Sequence, residues 1–289
     1  MTITEIIKTR FSCRTYSERS LEDKVMKELL SIVNDIHTGP FGNQPSFRLI
    51  QLPSFTIQEA KKLGTYGVIK NARLFVVGTI NNSHLAMEDY GYCKEEMILK
   101  ATALGLGTCW LGGTFQSSNF ARAVDLQKNE LLPTITPIGY PAQRKSLAEK
   151  MMRGVAGSDK RKPWAELFFT DNFSTPLTQK QAGIYAEALE NVRLAPSASN
   201  KQPWRVLYAE QQNVFHFFIA RAFSYKLAGK VFLQDIDLGI AMSHFALTLQ
   251  ELGIKGKWQI NSNTPKEKSL DYIVSWQGEN ESRHKCTKI

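Results

Sequence analysis

Hydrophobic and polar positions along the chain alternate between two periods. Val25, Leu29, Leu30 and Val33 recur at helical spacing behind Ser20-Leu21-Glu22-Asp23, which reads as a capping box. The helix so predicted stops near Thr38-Gly39-Pro40. Phe47–Leu52 alternates apolar with polar residues, as a half-buried strand does. Arg73–Ile80 is a continuous β-branched apolar run and predicts a fully buried strand. A long helix over 88–105 follows, closed by Gly105 with Gly107 just beyond. Ile135–Tyr140 predicts a further strand, ended by a Gly-Tyr-Pro turn.

A linker-like run over 170–178 separates this half from a second series of elements. Thr178-Gln179-Lys180-Gln181 is another capping box and predicts a helix through about Leu194. Strands are expected at Arg205–Tyr208, Phe215–Ala220 and Tyr272–Trp276, with a helix over about 236–252. Helices alternating with a few strands in each half predict α/β layers around one shared sheet system.

The two halves also resemble each other. Leu104–Trp110 (LGLGTCW) returns as Leu252–Trp258 (LGIKGKW), and the same displacement of 148 carries Asp89 and Gly91 onto Asp237 and Gly239. Upstream, Gln44-Pro45-Ser46-Phe47-Arg48 answers to Gln202-Pro203-Trp204-Arg205 at a displacement of 158. Four elements in one order predict an internal duplication. The copies are unequal: Gly107 corresponds to Lys255, and the pair Gly112–Gly113 to Ile260–Asn261. The first copy is therefore expected to be the floor of a site and the second to be scaffold.

The 289 residues suffice for a substantial core, and 43% hydrophobic with 22% charged residues is ordinary for a globular protein. No apolar run approaches the ~20 residues of a membrane helix. The charged N-terminus predicts no export, and four cysteines without CxxC spacing predict reduced thiols and a cytoplasmic location. Scattered histidines predict no metal. The net charge of +9 comes without any nucleic-acid-binding motif. Part of it falls in Arg10, Arg14 and Lys160-Arg161-Lys162-Pro163, which suits a small phosphate ligand better than a polyanion.

Three segments carry candidate chemistry. Arg10-Phe11-Ser12-Cys13-Arg14-Thr15-Tyr16 offers two guanidinium forks and a hydroxyl, a phosphate-binding set. Ala195–Trp204 (APSASNKQPW) is a loop of small, hydroxylic residues able to approach a flat polar ring. Leu104–Phe115 carries Gly112 and Gly113, where backbone N–H groups can meet a ligand unobstructed by a Cβ. Neither a dinucleotide GxGxxG, a P-loop nor a Ser-His-Asp set is present.

Together these segments resemble the FMN-dependent nitroreductase family, in its branch where one chain carries two related halves. The family shows R-x-S-x-R-x-[FY], P-S-x-x-N-x-Q-P-W, a helix ending LGLG, a G-Y-P turn and a basic segment before proline. Here these read Arg10–Tyr16, Pro196–Trp204, Leu104–Trp110, Gly139–Pro141 and Lys160–Pro163. The order departs from the family's, because the well-preserved P-S-x-x-N loop lies in the second half and R-x-S-x-R in the first. The resemblance implies an α+β, nitroreductase-like three-layer α/β/α fold, duplicated so that one chain mimics the family homodimer. Residues 1–170 would form the phosphate and isoalloxazine half, and 171–289 the half that roofs the flavin.

The resemblance also implies roles. Arg10, Ser12 and Arg14 would contact FMN, with Arg161 or Lys162 completing phosphate neutralisation. Leu111, Gly112 and Gly113 would lie along the isoalloxazine, and Pro196, Ser197, Ala198 and Asn200 would wall it from the other half. NADH or NADPH would reduce flavin N5, and a nitroaromatic or quinone would reoxidise it in a ping-pong cycle. No side chain acts as catalytic acid or base, and the chain is expected to be a monomer mimicking a dimer, with no nucleic-acid or membrane partner. A flavin-storage protein and a cofactor-less scaffold are the competing expectations.

Overall fold

The computed structural model describes residues 1–35, 37–52, 69–112, 119–143, 160–222, 226–227 and 231–279. Its helices are α1 (Ile3–Thr9), α2 (Asp23–Asn34), α3 (Ala86–Ala103), α4 (Asn119–Ala123), α5 (Gln179–Ala182), α6 (Ala186–Leu194) and α7 (Leu233–Glu251). The strands of the first half are β1 (Ser46–Gln51), β2 (Leu74–Asn81), β3 (Gly107–Thr108), β4 (Leu111–Gly112), β5 (Glu130–Leu131) and β6 (Thr134–Gly139). The second half has β7 (Phe168–Thr170), β8 (Asn172–Pro176), β9 (Trp204–Ala209), β10 (Val214–Ile219), β11 (Lys226–Leu227), β12 (Val231–Phe232), β13 (Gly256–Gln259) and β14 (Asp271–Gly278).

Two sheets result. The first runs β1-β2-β6-β3, with β4 on β6 and β5 on β2; the second runs β13-β14-β10-β9-β7-β8. Along β2, Leu74, Val76 and Ile80 join the core shared with α3 and α7, whereas Phe75 and Val77 point to a second core that includes Phe120 of α4. Period-two alternation thus buries both faces of this sheet between helices. The fold is α+β, and its halves are two versions of one plan.

The duplication is clearest where α3 crosses α7. A Cβ at Gly91 would lie 2.3 Å from the Ile236 carbonyl oxygen, and one at Gly239 would lie 2.0 Å from that of Glu88. Ile236 stands three residues before Gly239, as Glu88 does before Gly91. Each glycine therefore receives the backbone of the other helix at the matching place, as across a two-fold axis. Both helices are buried around most of their circumference, including Lys94, Glu95, Asp237 and His244. Their weak amphipathic pattern follows from this, since a helix enclosed on all sides needs no polar face.

Some local expectations change. The Ser20–Asp23 capping box does not form: α2 starts at Asp23 behind Glu22, which makes no side-chain cap. The Thr178–Gln181 box does form, with Thr178 Oγ1 accepting from the Gln181 N–H and the Gln181 side chain returning to the Thr178 N–H. The helix it opens breaks at Gly183, where φ is +55°. The linker-like run over 170–178 is mostly strand: β8 folds back antiparallel on β7, which itself runs parallel to β9. Alternating Phe169 and Phe173 pack edge to face there, giving an apolar reason for pairing in a run that reads as polar.

Candidate functional site

The Arg10–Tyr16 strip lies along β3 as an extended segment. Cys13 N–H donates to Thr108 O at 2.8 Å, and the Tyr16 hydroxyl lies 2.9 Å from Cys13 O and 3.0 Å from Pro137 O. Extended geometry turns Cys13 into the core and Ser12 and Arg14 the other way, into a cleft. Gly107 makes the approach possible, because a Cβ there would lie 2.7 Å from the Cβ of Cys13. This corrects the reading that Gly107 serves a ligand. Lys255 replaces it in the second copy, whose half carries no R-x-S-x-R strip.

The facing wall is the loop after α6. Ser199, Asn200 and Gln202 all have positive φ, at 48°, 55° and 47°, a cluster of strained backbone that the surroundings must hold in place. Three anchors do so. Asp237 Oδ1 accepts the Ala198 N–H at 2.8 Å, Ser197 Oγ accepts the Gln202 N–H at 2.8 Å, and Asn200 Nδ2 donates to Lys160 O at 2.8 Å. Arg161 donates to Leu194 O at 3.1 Å and to Asn200 Oδ1 at 3.3 Å, while Lys162 N–H donates to Gln202 Oε1 at 2.8 Å. Arg161, Lys162 and Asn200 therefore buttress the loop from behind and do not line the cleft.

Between strip and loop lies a cleft of about 230 Å³. Ser12, Arg14, Gly112, Pro196, Ser197 and Ala198 line it together, so both halves contribute. Leu111 instead packs toward the core on the far side of the first sheet, and Gly113 falls outside the described residues. Arg10 is also elsewhere: its side chain is 6% exposed and its Nε lies 3.8 Å from Glu95 Oε1. Glu95 accepts Trp110 Nε1–H at 2.7 Å and meets His244 Nε2 at 3.0 Å. Arg10 thus belongs to a buried network supporting Trp110, which does line the cleft.

The rest of the lining had no sequence signal as a site. Leu233, Ile236 and Ile240 form an apolar wall from α7, and Thr134 comes from β6. Asp237 had stood out only as the mate of Asp89. Its Oδ2 is buried without a hydrogen-bond partner, and burial drives its pKa well above the usual carboxylate value. Below the floor, fully buried Lys94 donates to Thr134 Oγ1 at 2.8 Å, Thr134 O at 3.1 Å and Tyr90 Oη at 3.2 Å. Burial lowers its pKa well below the usual lysine value.

Arg14 is the electrostatic centre of the cleft. Its Nε and Nη1 are buried and have no hydrogen-bond partner among the described residues. Two orphaned donors on a permanent cation, opposite loop backbone held at positive φ, suit an anionic or multiply accepting ligand. No group of three or more His, Cys, Asp or Glu is placed to hold a metal among the described residues, and no described helix is long and apolar enough to cross a membrane.

Comparison with known proteins agrees with this architecture. The profile of the family described as "Putative TM nitroreductase" matches residues 2–249. A crystal structure described as a putative nitroreductase from Thermotoga maritima MSB8 superposes with a TM-score of 0.59 at 21% identity, covering 96% of this chain and 93% of that one. A protein of Methanothermobacter thermautotrophicus described as a "Putative NADH dehydrogenase/NAD(P)H nitroreductase" is 22% identical over half of this chain and 79% of its own length. A nitroreductase family protein of Clostridium difficile 630 covers 57% of this chain and 96% of its own, at 22% identity and a TM-score of 0.41. With its family profile spanning nearly the whole sequence and its fold shared end to end, this chain belongs to the TM nitroreductase family of oxidoreductases.

Proposed function

We propose that this chain is an FMN-dependent NAD(P)H oxidoreductase with one flavin site, in the cleft between the Arg10–Tyr16 strip and the Pro196–Asn200 loop. The observation that carries this reading is the buried, unpartnered Nε and Nη1 of Arg14 facing that cleft. A buried cation lacking a partner is costly until an anion or strong acceptor arrives. FMN has both, in its phosphate and in the pyrimidine carbonyls. Relatives whose descriptions name FMN, such as a Bacteroides fragilis nitroreductase with bound FMN, fit the same reading.

When bound, FMN supplies the hydride chemistry that no side chain here provides. The chain's own residues bind, orient and exclude water. Ser12 and Arg14 donate hydrogen bonds from the first half. Pro196, Ser197 and Ala198 cover the ligand from the second, so residues 1–170 form the floor and 171–289 the roof. Leu233, Ile236 and Ile240 keep the apolar edge dry. Asp237, whose pKa burial raises, would present its open Oδ2 to a polar group of the ligand. Trp110 presents a flat face against which an electron-poor nitroaromatic or quinone can stack. Nicotinamide and acceptor would take turns in the same cleft, a ping-pong cycle.

The test is anaerobic titration of the purified chain loaded with FMN. NADH or NADPH is expected to bleach the bound flavin at one FMN per chain, and a nitroaromatic or quinone to restore the colour. Failure to bind FMN, or binding of two per chain, overturns the assignment. Bound flavin that neither nucleotide bleaches favours a storage role.

A further inference from the structure

The two-fold plan predicts a second cleft, at the N-terminus of α3, equivalent to the one against α7. One exists there, with a volume of about 330 Å³. Leu85 takes the place of Leu233 and Glu88 that of Ile236, while β14 supplies Ile273 where β6 supplies Thr134 in the first cleft. Cavities of this size accept small organic molecules.

The chemistry has been reversed. The first cleft has an orphaned arginine; the second has two carboxyls, Glu88 and Asp235, both lining it. Asp235 is matched by Arg221 at 2.6 Å, and the same guanidinium also meets Asp271 at 2.8 Å. Glu88 is only 5% exposed, yet among the described residues no side chain bonds to its carboxyl, whose donor is its own backbone N–H. This carboxyl stands where the other copy has isoleucine, buried and facing a cavity, and the one guanidinium near it, Arg221, is bonded to Asp235 and Asp271 instead. The loop that would complete a flavin site is shut: Asp89 holds it through the N–H groups of Phe41 and Asn43 and the Asn43 side chain, at 3.1, 3.0 and 3.0 Å.

We propose that this second cleft is a binding site for a small organic cation, an ammonium group on an apolar body, with Glu88 as its counter-ion. The ammonium takes the open side of the Glu88 carboxyl, and Leu85, Met87, Phe232 and Ile273 enclose the apolar part. Two carboxyls, one already paired with arginine, are too few for a metal ion, and no three-ligand group is found among the described residues. The groups facing Glu88 are Asp235 and Arg221 from the second half and Asp89 beside it on α3. Burial and Asp235 together push the Glu88 pKa up to about 8, so cation binding at pH 7 drives off a proton.

Isothermal titration with benzylamine, and with benzyl alcohol as neutral isostere, tests this on the whole chain. Benzylamine is expected to bind at one per chain, at least tenfold tighter than the alcohol. Its heat should differ between phosphate and HEPES buffers through proton release. Glu88→Gln should abolish both the preference and the proton release while leaving FMN binding unchanged. Equal affinity for the two probes, or an unaltered preference in E88Q, overturns the proposal. Backbone amide shifts of the wild-type chain provide a second arm: changes induced by benzylamine should centre on Leu85–Glu88, Phe232 and Tyr272, and a centre elsewhere overturns the proposal even if E88Q fails to fold.

Discussion

Asp89 and Asp237 hold equivalent positions on the two central helices, and each clamps a loop by accepting its backbone N–H groups. Asp89 fills both carboxyl oxygens with Phe41 and Asn43. Asp237 fills one, with the Ala198 N–H, and leaves Oδ2 buried and open. Two inserted residues between Pro196 and Gln202, relative to Pro40–Gln44, separate the cases. Asn43 bonds to Asp89, whereas Asn200 turns away to Lys160. One loop is closed on itself; the other leaves a polar atom for a ligand.

Asp237 should make stability depend on pH. Burial raises its folded-state pKa above 3.8, so its stabilising contribution is complete below that value and is lost as pH rises through the folded pKa. Asp237→Asn does not titrate. In urea unfolding without FMN, wild type is expected to lose ground to D237N between pH 5 and pH 8. Asp237→Ala should cost about 1–3 kcal/mol at pH 5, because the buried Ala198 N–H loses its acceptor.

The crossing of α3 and α7 should be intolerant of one methyl group. Gly91→Ala and Gly239→Ala each drive a Cβ into backbone carbonyl oxygen, which cannot move as a side-chain end can. Each is expected to cost about 1–3 kcal/mol by chemical denaturation. Once the helices separate, the second methyl finds room, so the double variant should cost less than the sum.

These glycines were legible in the sequence as a repeat, but not as a contact. The same holds for much of the site. Strand and helix periods located most elements to within a few residues, and the family motifs singled out Ser12, Arg14, Gly112 and Pro196–Ala198, which the fold gathers into one cleft. Arg161 and Asn200 read as ligand contacts because their donors are visible, whereas their partners in the chain, Leu194 O and Lys160 O, are not. Asp237, Lys94 and Glu95 were illegible for the opposite reason. A charged residue within a helix reads as solvent-facing, and only tertiary packing reveals that these two helices have almost no solvent side.

Arg14→Ala should separate binding from folding. With Nε and Nη1 buried and unpartnered, the guanidinium does not stabilise the unliganded fold, and urea midpoints should equal or exceed wild type. FMN affinity should fall at least tenfold, in line with about 1.5–3 kcal/mol per charged hydrogen bond. Unchanged affinity in a flavin-fluorescence titration would remove Arg14 from the site.

Lys94 offers a contrasting pH dependence. Its depressed pKa means that its contribution is present above the ordinary lysine value and is lost as pH falls through the folded one. Lys94→Met keeps the shape, and Tyr90 Oη and Thr134 Oγ1, 2.9 Å apart, can satisfy each other. At pH 9.5 the two proteins should differ by no more than about 1 kcal/mol. Lowering the pH to 6 should shift the balance toward K94M, as read from thermal midpoints at each pH.

The reciprocal glycine crossing also bears on how the two clefts came to differ. In a symmetric pair of identical chains, one codon writes both sides of every contact across the axis, so each substitution is made twice. Here Gly91 and Gly239 are inherited separately, as are Glu88 and Ile236. Retaining both glycines preserves the frame, while positions three residues away are free to drift independently. A single chain thus lets a carboxyl stand at 88 without one at 236, where it would repel the anionic ligand proposed for the first cleft.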